Sequence, residues 1–261
     1  MVMFYPNLHR MKWKVVCCSI VTVASLLIHI QTASSAGYQI PNQSTRAVGI
    51  AGATVAYTTG PDASYYNPAN MSYLEDGWLL ETSLTMLYLP SIEYTDNRSP
   101  LFDGSSESEM FYLPQIHLAS SLFQNFRFGF SLTYPYGLAK RWDEPYPAAS
   151  AKEFSLDVIE ANPTFSYMVG DTLSFGGGVR FIYSEGEVEN GVPGLSRDLE
   201  GDDFQVGYNL AATYRPLKDW RIAATYRSEV TVELDGDANM AAMMGDVTVA
   251  GYNGSGAIDV A

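Results

Sequence analysis

Long stretches in which apolar and polar residues alternate restrict the fold of this chain more than any other feature. The clearest examples are Asn125–Tyr134, Thr172–Ser184, Phe204–Arg215 and Trp220–Leu234. In the first, every second residue is Phe, Leu or Tyr, and the residues between them are Asn, Arg, Gly, Ser or Thr. Side chains of a β-strand point alternately to its two faces, so each stretch would have one apolar and one polar face. The pattern predicts an all-β protein made of antiparallel strands.

The length of these stretches favours a membrane environment. They run for 10 to 15 residues, whereas strands of soluble domains average about 5 or 6 residues and a tilted membrane strand needs about 9 to 11. Aromatic residues near the strand ends are typical of the interfacial girdles of membrane barrels; they are Trp78, Tyr88, Tyr134, Tyr136, Tyr183, Tyr214, Trp220 and Tyr226. We therefore expect a transmembrane β-barrel, with a soluble β-sandwich as the alternative.

Three further strands are expected at Trp78–Leu89, Met110–Leu122 and Lys152–Val169. The last of these changes the phase of its alternation part-way, which predicts a β-bulge near Pro163 because proline removes a ladder donor.

The connections between the strands alternate between short and long, as in outer-membrane barrels, which have short periplasmic turns and long outer loops. The short ones are Ser121–Asn125, Gly170–Asp171 and Pro216–Asp219, and the long polar ones are Pro90–Glu109, Gly137–Ala151 and Glu185–Asp203. A β-sandwich gives no reason for this alternation.

The first 36 residues predict a cleavable export signal. Three basic residues and no acidic one precede the apolar run Val15–Ile30, and small residues follow it. Cleavage after Ser35 or after Ala36 satisfies the rule for small residues at the cleavage site. An N-terminal membrane anchor is the alternative, but the run is short for a span of about 20 residues.

Composition excludes several classes of function. Beyond residue 36 the chain keeps 12 of its 15 Lys and Arg and all 29 Asp and Glu, which argues against nucleic acid as a partner because phosphates would be repelled. Both cysteines lie within the signal, and His117 is the one histidine beyond it. A disulfide framework, a thiolate metal site and a cysteine nucleophile are therefore excluded there. We expect no enzyme, no cofactor and no metal.

The segment Gly37–Asp76 differs from the strands that come after it. It is rich in Gly, Ala and Asn and poor in charge, and we interpret it as a folded plug, or hatch, with short helices, ahead of a barrel at 77–261. Asn67, Pro68 and Ala69 are its most specific mark, because a short helix capped by Asp62 and ended by a rigid proline would make a hinge. An ordinary boundary between a helix and a turn is the alternative.

Five segments in order resemble the FadL/TodX family of outer-membrane transporters for long-chain fatty acids and other hydrophobic compounds. They are Ala36–Gln39, Asp62–Ala69 with its Asn-Pro-Ala triplet, Tyr136–Ala139, Leu173–Val179 and Tyr226–Val230. The resemblance implies a 14-stranded barrel closed by an N-terminal hatch, and passive uptake of a hydrophobic ligand from outside the bacterial cell. The ligand would be a long-chain fatty acid or an aromatic hydrocarbon.

The resemblance also implies roles for particular residues. Asn67, Pro68 and Ala69 would belong to the gating hatch. Gly129 and Gly137 would lie on the strand whose break lets the ligand leave sideways into outer-membrane lipid. We expect a monomer.

The chain contains about seven to eight strands of the implied 14, so we expect it to be a fragment of a longer protein. A complete eight-stranded structural or adhesive barrel without transport is the alternative, although eight strands enclose room for little more than side chains.

Five arginines fall on the polar faces of their strands. We expect them to pair with acids of the barrel interior such as Glu229 and Glu233, because an unpaired interior charge is costly. Contact with a ligand carboxylate is the alternative. The five are Arg127, Arg180, Arg215, Arg221 and Arg227.

Overall fold

The computed structural model describes residues 39–142, 152–192, 195–217, 219–242, 245–253 and 258–260. The predicted signal at 1–36 lies outside these residues. We call Gln39–Asp76 the N-terminal segment. It contains helices α1 (Thr45–Gly49) and α2 (Ala63–Tyr66) and a 3-10 helix (Pro68–Tyr73). No helix in the described ranges is long and apolar enough to cross a bilayer.

The rest of the described chain is almost entirely antiparallel β-structure. Its strands are β1 (Leu79–Leu89), β2 (Glu93–Tyr94), β3 (Gly104–Ser105), β4 (Glu109–Ala119), β5 (Phe126–Arg141), β6 (Glu153–Val169), β7 (Leu173–Val192), β8 (Leu195–Leu217), β9 (Trp220–Arg227), β10 (Val230–Val232), β11 (Asp235–Ala242), β12 (Gly245–Asn253) and β13 (Ile258–Val260). The main sheet has the order β1-β4-β5-β6-β7-β8-β11-β12, with β9 also beside β8. This sheet curls into part of a β-barrel, which confirms the all-β prediction.

The two faces of the sheet differ as the alternation predicts. Phe126 of β5 pairs with Tyr167 of β6, which pairs with Phe175 of β7, and all three side chains are exposed on the outer face. In the neighbouring rung, Arg127 and Ser166 point to the inner face and are buried. An apolar outer face and a polar inner face are expected of a membrane barrel.

Strand β6 has no bulge near Pro163, so that prediction is wrong. Its register with β5 and β7 runs through the proline without a shift, and even-numbered residues face inward along the strand's whole length. What changes is the chemistry of each face. The inner face is apolar at Leu156 and Val158 and polar from Glu160 to Ser166, while the outer face is acidic at Asp157. The strand therefore keeps the same inward and outward positions along its length, and what changes is which of its two faces carries the apolar residues.

The bulge lies instead in β5. Its register with β6 shifts by one residue between Thr133 and Tyr136, leaving Tyr134 and Pro135 opposite a single residue. The strand then continues to Arg141, so the prediction that a long loop begins at Gly137 is wrong. Because the extra residue reverses the facing of the residues after it, Tyr136 is buried on the inner side rather than placed in the outer aromatic girdle.

Two other boundaries differ from expectation. The long loop predicted at Glu185–Asp203 is mostly a hairpin, because β7 and β8 remain paired as far as Val192 and Leu195. Its polar composition does not prevent strand formation, since a ladder needs backbone partners rather than apolar side chains. The single strand predicted at Trp220–Leu234 is interrupted after β9, where the Ser228 side chain accepts a hydrogen bond from the backbone N–H of Tyr208.

Candidate functional site: the inner face and the N-terminal segment

The predicted hatch motif is fully buried and hydrogen-bonded. Asn67 Oδ1 accepts from the N–H of Ala69 at 3.0 Å and so caps the 3-10 helix that Pro68 begins. Asn67 Nδ2 donates to Val55 O at 2.6 Å and to Thr213 Oγ1 of β8 at 3.0 Å. The motif therefore joins two parts of the N-terminal segment to the main sheet, which we call the wall. The Asp62 side chain makes no cap hydrogen bond and instead accepts from the Ser44 hydroxyl, contrary to prediction.

Strand β7 packs directly against this motif. The Ser174 hydroxyl donates to Ala69 O at 2.7 Å and lies 3.0 Å from Ser72 Oγ. A Cβ atom at Gly176 would stand 2.5 Å from the backbone nitrogen of Ala69, which is closer than real contacts allow. Only glycine fits beneath the motif. We call residues 67–73 the anchor.

The two predicted exit glycines lie in different places. A Cβ atom at Gly129 would stand 2.4 Å from Met71 Sδ and 3.0 Å from Ser64 Cβ, so this glycine lies under the N-terminal segment. Gly137 lies above the bulge of β5, where a Cβ atom would be 3.6 Å from Ile40 Cδ1. The fold brings Gly129 together with the anchor and places Gly137 near the start of the N-terminal segment.

The wall is incompletely paired between β4 and β5. These strands pair only over residues 116–119 and 129–132, whereas β5 pairs with β6 along nearly its full length. The first described residues of the chain lie against the freed edge of β5. Gln39 forms a β-bridge with Tyr136, and the N–H of Ile40 donates to Pro135 O at 2.8 Å. We call residues 39–43 the strap.

Gln43 closes the same gap with its side chain. Its Nε2 donates to Tyr134 O at 2.7 Å and its Oε1 accepts from Tyr134 N at 2.9 Å, so the amide pairs with β5 as a peptide group of a neighbouring strand would. Its backbone oxygen lies 2.7 Å from His117 Nε2 of β4. A carbonyl only accepts, so Nε2 carries the proton. Gln43 therefore links β4 and β5 next to the point where their direct pairing ends.

The Tyr66 hydroxyl supports this strap from the other side. It accepts from the N–H of Gln43 at 2.6 Å. Burial, which disfavours the charged phenolate, raises the pKa of Tyr66 to about 12. The phenol therefore stays neutral and keeps its place beneath the strap at physiological pH.

An apolar cluster occupies the inner face above the N-terminal segment. We define the cluster by its members, which come from β5, β6, β7, β10 and the residues beside them: Tyr136, Leu156, Val158, Ile182, Val230 and Val232, with Phe154 and Leu234 packed against them. Apolar side chains that point into a barrel interior form a surface suited to an apolar ligand.

A charged triad borders this cluster. Arg180 donates to Glu160 Oε2 from Nε at 3.0 Å and from Nη2 at 2.9 Å, and Arg227 donates to Glu160 Oε1. Arg227 also donates to Tyr65 O of α2 at 3.2 Å. Glu160 pairs across the strands with Ile182 of the cluster. Two guanidinium groups share one carboxylate, so the triad carries an excess positive charge beside an apolar surface.

The triad corrects the predicted pairing of the arginines. Arg180 and Arg227 pair with Glu160, not with Glu229 or Glu233. Glu160 stands between Ile159 and Ala161, so the alternation already indicates that it lies on the polar face. No local pattern identifies it as the partner of these arginines. Gln43 carried no comparable signal, because its partners belong to a bulge that the sequence did not place.

Residues 26–261 match the model of a known protein family, the one described as outer membrane protein transport protein (OMPP1/FadL/TodX).

The chain belongs to the FadL/TodX family.

Curated members of the FadL/TodX family match part of the chain. A long-chain fatty acid transport protein of Escherichia coli O6:H1 is 29% identical over 154 residues, covering 48% of this chain and 34% of its own. Outer membrane protein P1 of Haemophilus influenzae is 24% identical over 212 residues, covering 75% of this chain and 46% of its own. The matches thus span less than half the length of these relatives.

Solved structures of the FadL/TodX family share the fold. A Pseudomonas aeruginosa FadL homologue superposes with a TM-score of 0.66 at 20% identity, covering 79% of this chain and 56% of its own. The Ralstonia pickettii toluene transporter TbuX gives a TM-score of 0.60 at 20% identity, covering 76% and 60%. These values establish a FadL/TodX-type partial barrel. Membership of this family of outer-membrane proteins gives a bacterial outer-membrane location.

Membership of the FadL/TodX family agrees with a non-enzymatic role, because the relatives are named as transport proteins and channels. Within the described ranges, no three His, Cys, Asp or Glu side chains gather as a metal site would require.

Proposed function

We propose that this protein takes up hydrophobic small molecules passively across the outer membrane, and that long-chain fatty acids are its ligands. The observation that carries the proposal is the apolar cluster of the inner face, which ends at a triad with one excess positive charge. A fatty acid has the matching shape, an apolar chain with one carboxylate at its end.

The cluster would bind the chain of the ligand. Burying apolar surface contributes about 25 cal/mol per Å², so a long acyl chain gains more from a continuous apolar face than a single aromatic ring does. Val158 and Ile182 are neighbours on adjacent strands of this face. This term alone would also accept a hydrocarbon such as the toluene that TbuX is named for.

The triad would select the carboxylate. Glu160 and Arg180 are buried and held by each other, whereas 28% of the Arg227 side chain is exposed. Arginine presents several N–H donors in a fork that suits a carboxylate. Arg227 can therefore hold Glu160 and still offer donors to a ligand. A neutral hydrocarbon gains nothing from this charge.

Release would occur through the gap between β4 and β5. The strap closes that gap with the β-bridge of Gln39 and the hydrogen bonds of Ile40 and Gln43. Its departure would leave the edge of β5 open toward the bilayer. Gly137 lies beside the strap and has no side chain to obstruct the opening. Asn67, Pro68 and Ala69 would form the fixed end of the hatch, and Gly129 would seat it.

The test compares two ligands in one assay. Full-length protein is produced in a strain that lacks its own fatty acid transporter, and uptake of radiolabelled oleate and of toluene is measured for wild type, Arg227→Gln and Arg197→Gln. Arg197 is an exposed arginine of β8 and serves as the matched control. We expect Arg227→Gln to slow oleate uptake about tenfold, the loss of one charge-assisted hydrogen bond, with toluene uptake and the control unchanged.

The outcomes separate the alternatives. Equal oleate uptake by wild type and Arg227→Gln, or an equal loss for both ligands, would overturn the fatty acid assignment. Absence of uptake of either ligand by a folded wild-type protein would favour a structural or adhesive barrel.

A further inference from the structure

Arg215 and Arg221 differ from the other inward arginines of the wall. Among the described residues, neither has a carboxylate oxygen within 4.0 Å, the limit for an ion pair, although the chain has 29 acidic residues. The arginine pairs that do form are Arg46–Asp62, Arg98–Asp96, Arg127–Asp76, Arg141–Glu109, Arg141–Glu153, Arg180–Glu160 and Arg227–Glu160. Two cations of the inner face thus lack an acid partner in the described part of the chain.

These two arginines lie at the same end of the inner face. Arg215 is near the end of β8 and Arg221 near the start of β9, on either side of a short turn. Short turns mark the periplasmic side of outer-membrane barrels. The Cζ atoms of both arginines lie 5.7 Å from the centroid of one ring, that of Tyr73, and Arg221 Cζ also lies 5.0 Å from the centroid of Tyr57.

Tyr73 is held in place by the wall. Its hydroxyl donates to Thr172 O at 2.9 Å, at the start of β7. The ring is therefore a fixed platform between the two guanidinium groups. Attraction between a guanidinium group and an aromatic ring lets two like charges share one surface without an acid.

The aromatic contacts leave hydrogen-bonding capacity unused. A guanidinium group donates in its own plane, so stacking on a ring does not satisfy its N–H groups. Arg221 Nη1 is shielded from solvent and has no hydrogen-bond partner within the described ranges. Buried donors are almost always paired in folded proteins. A negatively charged acceptor would accept a hydrogen bond from this donor. It would also offset the repulsion between the two arginines.

We propose that Arg215, Arg221, Tyr57 and Tyr73 form a carboxylate-binding site at the periplasmic end of the inner face. The site rests on the proposed function and adds a second position for the head group of a transported fatty acid. It is separate from the triad, because Arg227 contacts Tyr65 of α2 while Arg215 and Arg221 contact Tyr73 of the anchor and Tyr57.

The first experiment uses the wild-type full-length protein in an uncharged detergent. Phenylglyoxal modifies accessible arginines, and mass spectrometry reports each site separately. We expect dodecanoate to protect Arg215 and Arg221 at least threefold, and dodecanol, which has the same chain without the charge, to leave both rates unchanged. Arg197 is the internal control that neither compound protects. Equal modification of Arg215 and Arg221 with and without dodecanoate would overturn the site.

The second experiment measures affinity by calorimetry in the Arg227→Gln background, where the triad no longer supplies its outer cation. We expect the added pair Arg215→Gln and Arg221→Gln to weaken dodecanoate binding about tenfold or more, as the loss of charge-assisted hydrogen bonds predicts. Dodecanol binding should not change. Unchanged dodecanoate affinity in the triple variant would also overturn the site.

Acetate distinguishes the sources of the carboxylate. If acetate at equal concentration gives the same protection, the site binds small periplasmic carboxylates as well as fatty acids. If dodecanoate alone protects, the acyl chain contributes and the ligand is the transported amphiphile. Both results support a carboxylate site. Oleate uptake that depends on Arg227, together with unprotected Arg215 and Arg221, would refute this inference while leaving the proposed function intact.

Discussion

The anchor at residues 67–73 and the strap at residues 39–43 are two ends of one N-terminal segment, and they are held by different forces. The anchor fits against the backbone of β7, where Gly176 leaves no space, and Asn67 is buried among three hydrogen-bond partners. The strap lies along the free edge of β5 and is joined to it by hydrogen bonds of Ile40 and Gln43.

This difference decides which end can move. Displacing the anchor would strip packed atoms of their contacts and leave buried polar groups without partners, and both terms are large. Displacing the strap costs less, because Gln39 and Pro41 are exposed and Gln43 is its one buried residue. Local opening in proteins begins where buried contacts are fewest. The gating that we propose, in which the strap opens while the anchor stays attached, needs both kinds of attachment.

The largest expected effect comes from filling the space beneath the anchor. In Gly176→Ala, the new Cβ atom would stand 2.5 Å from the Ala69 nitrogen, so the anchor must shift. We expect a loss of about 1–3 kcal/mol in the free energy of unfolding, typical of overpacking, measured by urea titration of the full-length protein in detergent. Gly49→Ala is the matched control, since nothing lies within 4 Å of its Cβ position. Equal stability of Gly176→Ala and wild type would show that the anchor is not tightly packed against β7, and the contrast with the strap would no longer hold.

A loss of stability of similar size is expected when the hydrogen bonds of the anchor are removed. Asn67→Ala removes the cap on Ala69 and the partners of Val55 O and Thr213. We expect a loss of about 1–3 kcal/mol for these buried groups and faster amide exchange at Ala69. Asn97→Ala, at an exposed loop position, should change neither quantity. If Asn67→Ala instead exposed the strap and left Ala69 protected, the hinge interpretation of this motif would be the better one.

Gln43→Leu tests the strap. The substitution keeps the size of the side chain and removes both hydrogen bonds to Tyr134. We expect amide exchange at Tyr134 to rise about tenfold, equivalent to about 1.4 kcal/mol of local opening, while exchange at Ala69 stays unchanged. Gln39→Leu is the control, because the contact of Gln39 with β5 is a backbone bridge. Parallel increases at Tyr134 and Ala69 would show that the two ends open together.

The smallest effect is a dependence on pH. Burial raises the pKa of Tyr66 to about 12, so its neutral form is favoured in the folded state. Its contribution to stability is complete below about pH 10, the ordinary tyrosine pKa, and is lost as the pH rises from there through 12. The difference in tyrosinate absorbance between wild type and Tyr66→Phe should therefore have a midpoint near 12. A midpoint near 10 would place Tyr66 in solvent and remove this support of the strap.

The sequence by itself determined the strand class, the two faces of the sheet and the presence of a distinct N-terminal segment. These properties come from alternation and composition, which are local: a residue's face is set by its position within its own strand. The same alternation also places Glu160 on the polar face, because it stands between Ile159 and Ala161.

The tertiary structure alone decided where the pairing of strands fails and which residues fill the gap. The bulge at Tyr134 and Pro135 depends on the register between β5 and β6, and the role of Gln43 depends on the gap that β4 leaves beside it. The partnership of Glu160 with Arg180 and Arg227 likewise joins three strands. Register and partners are set by contacts between residues far apart in the chain, so no local pattern specifies them.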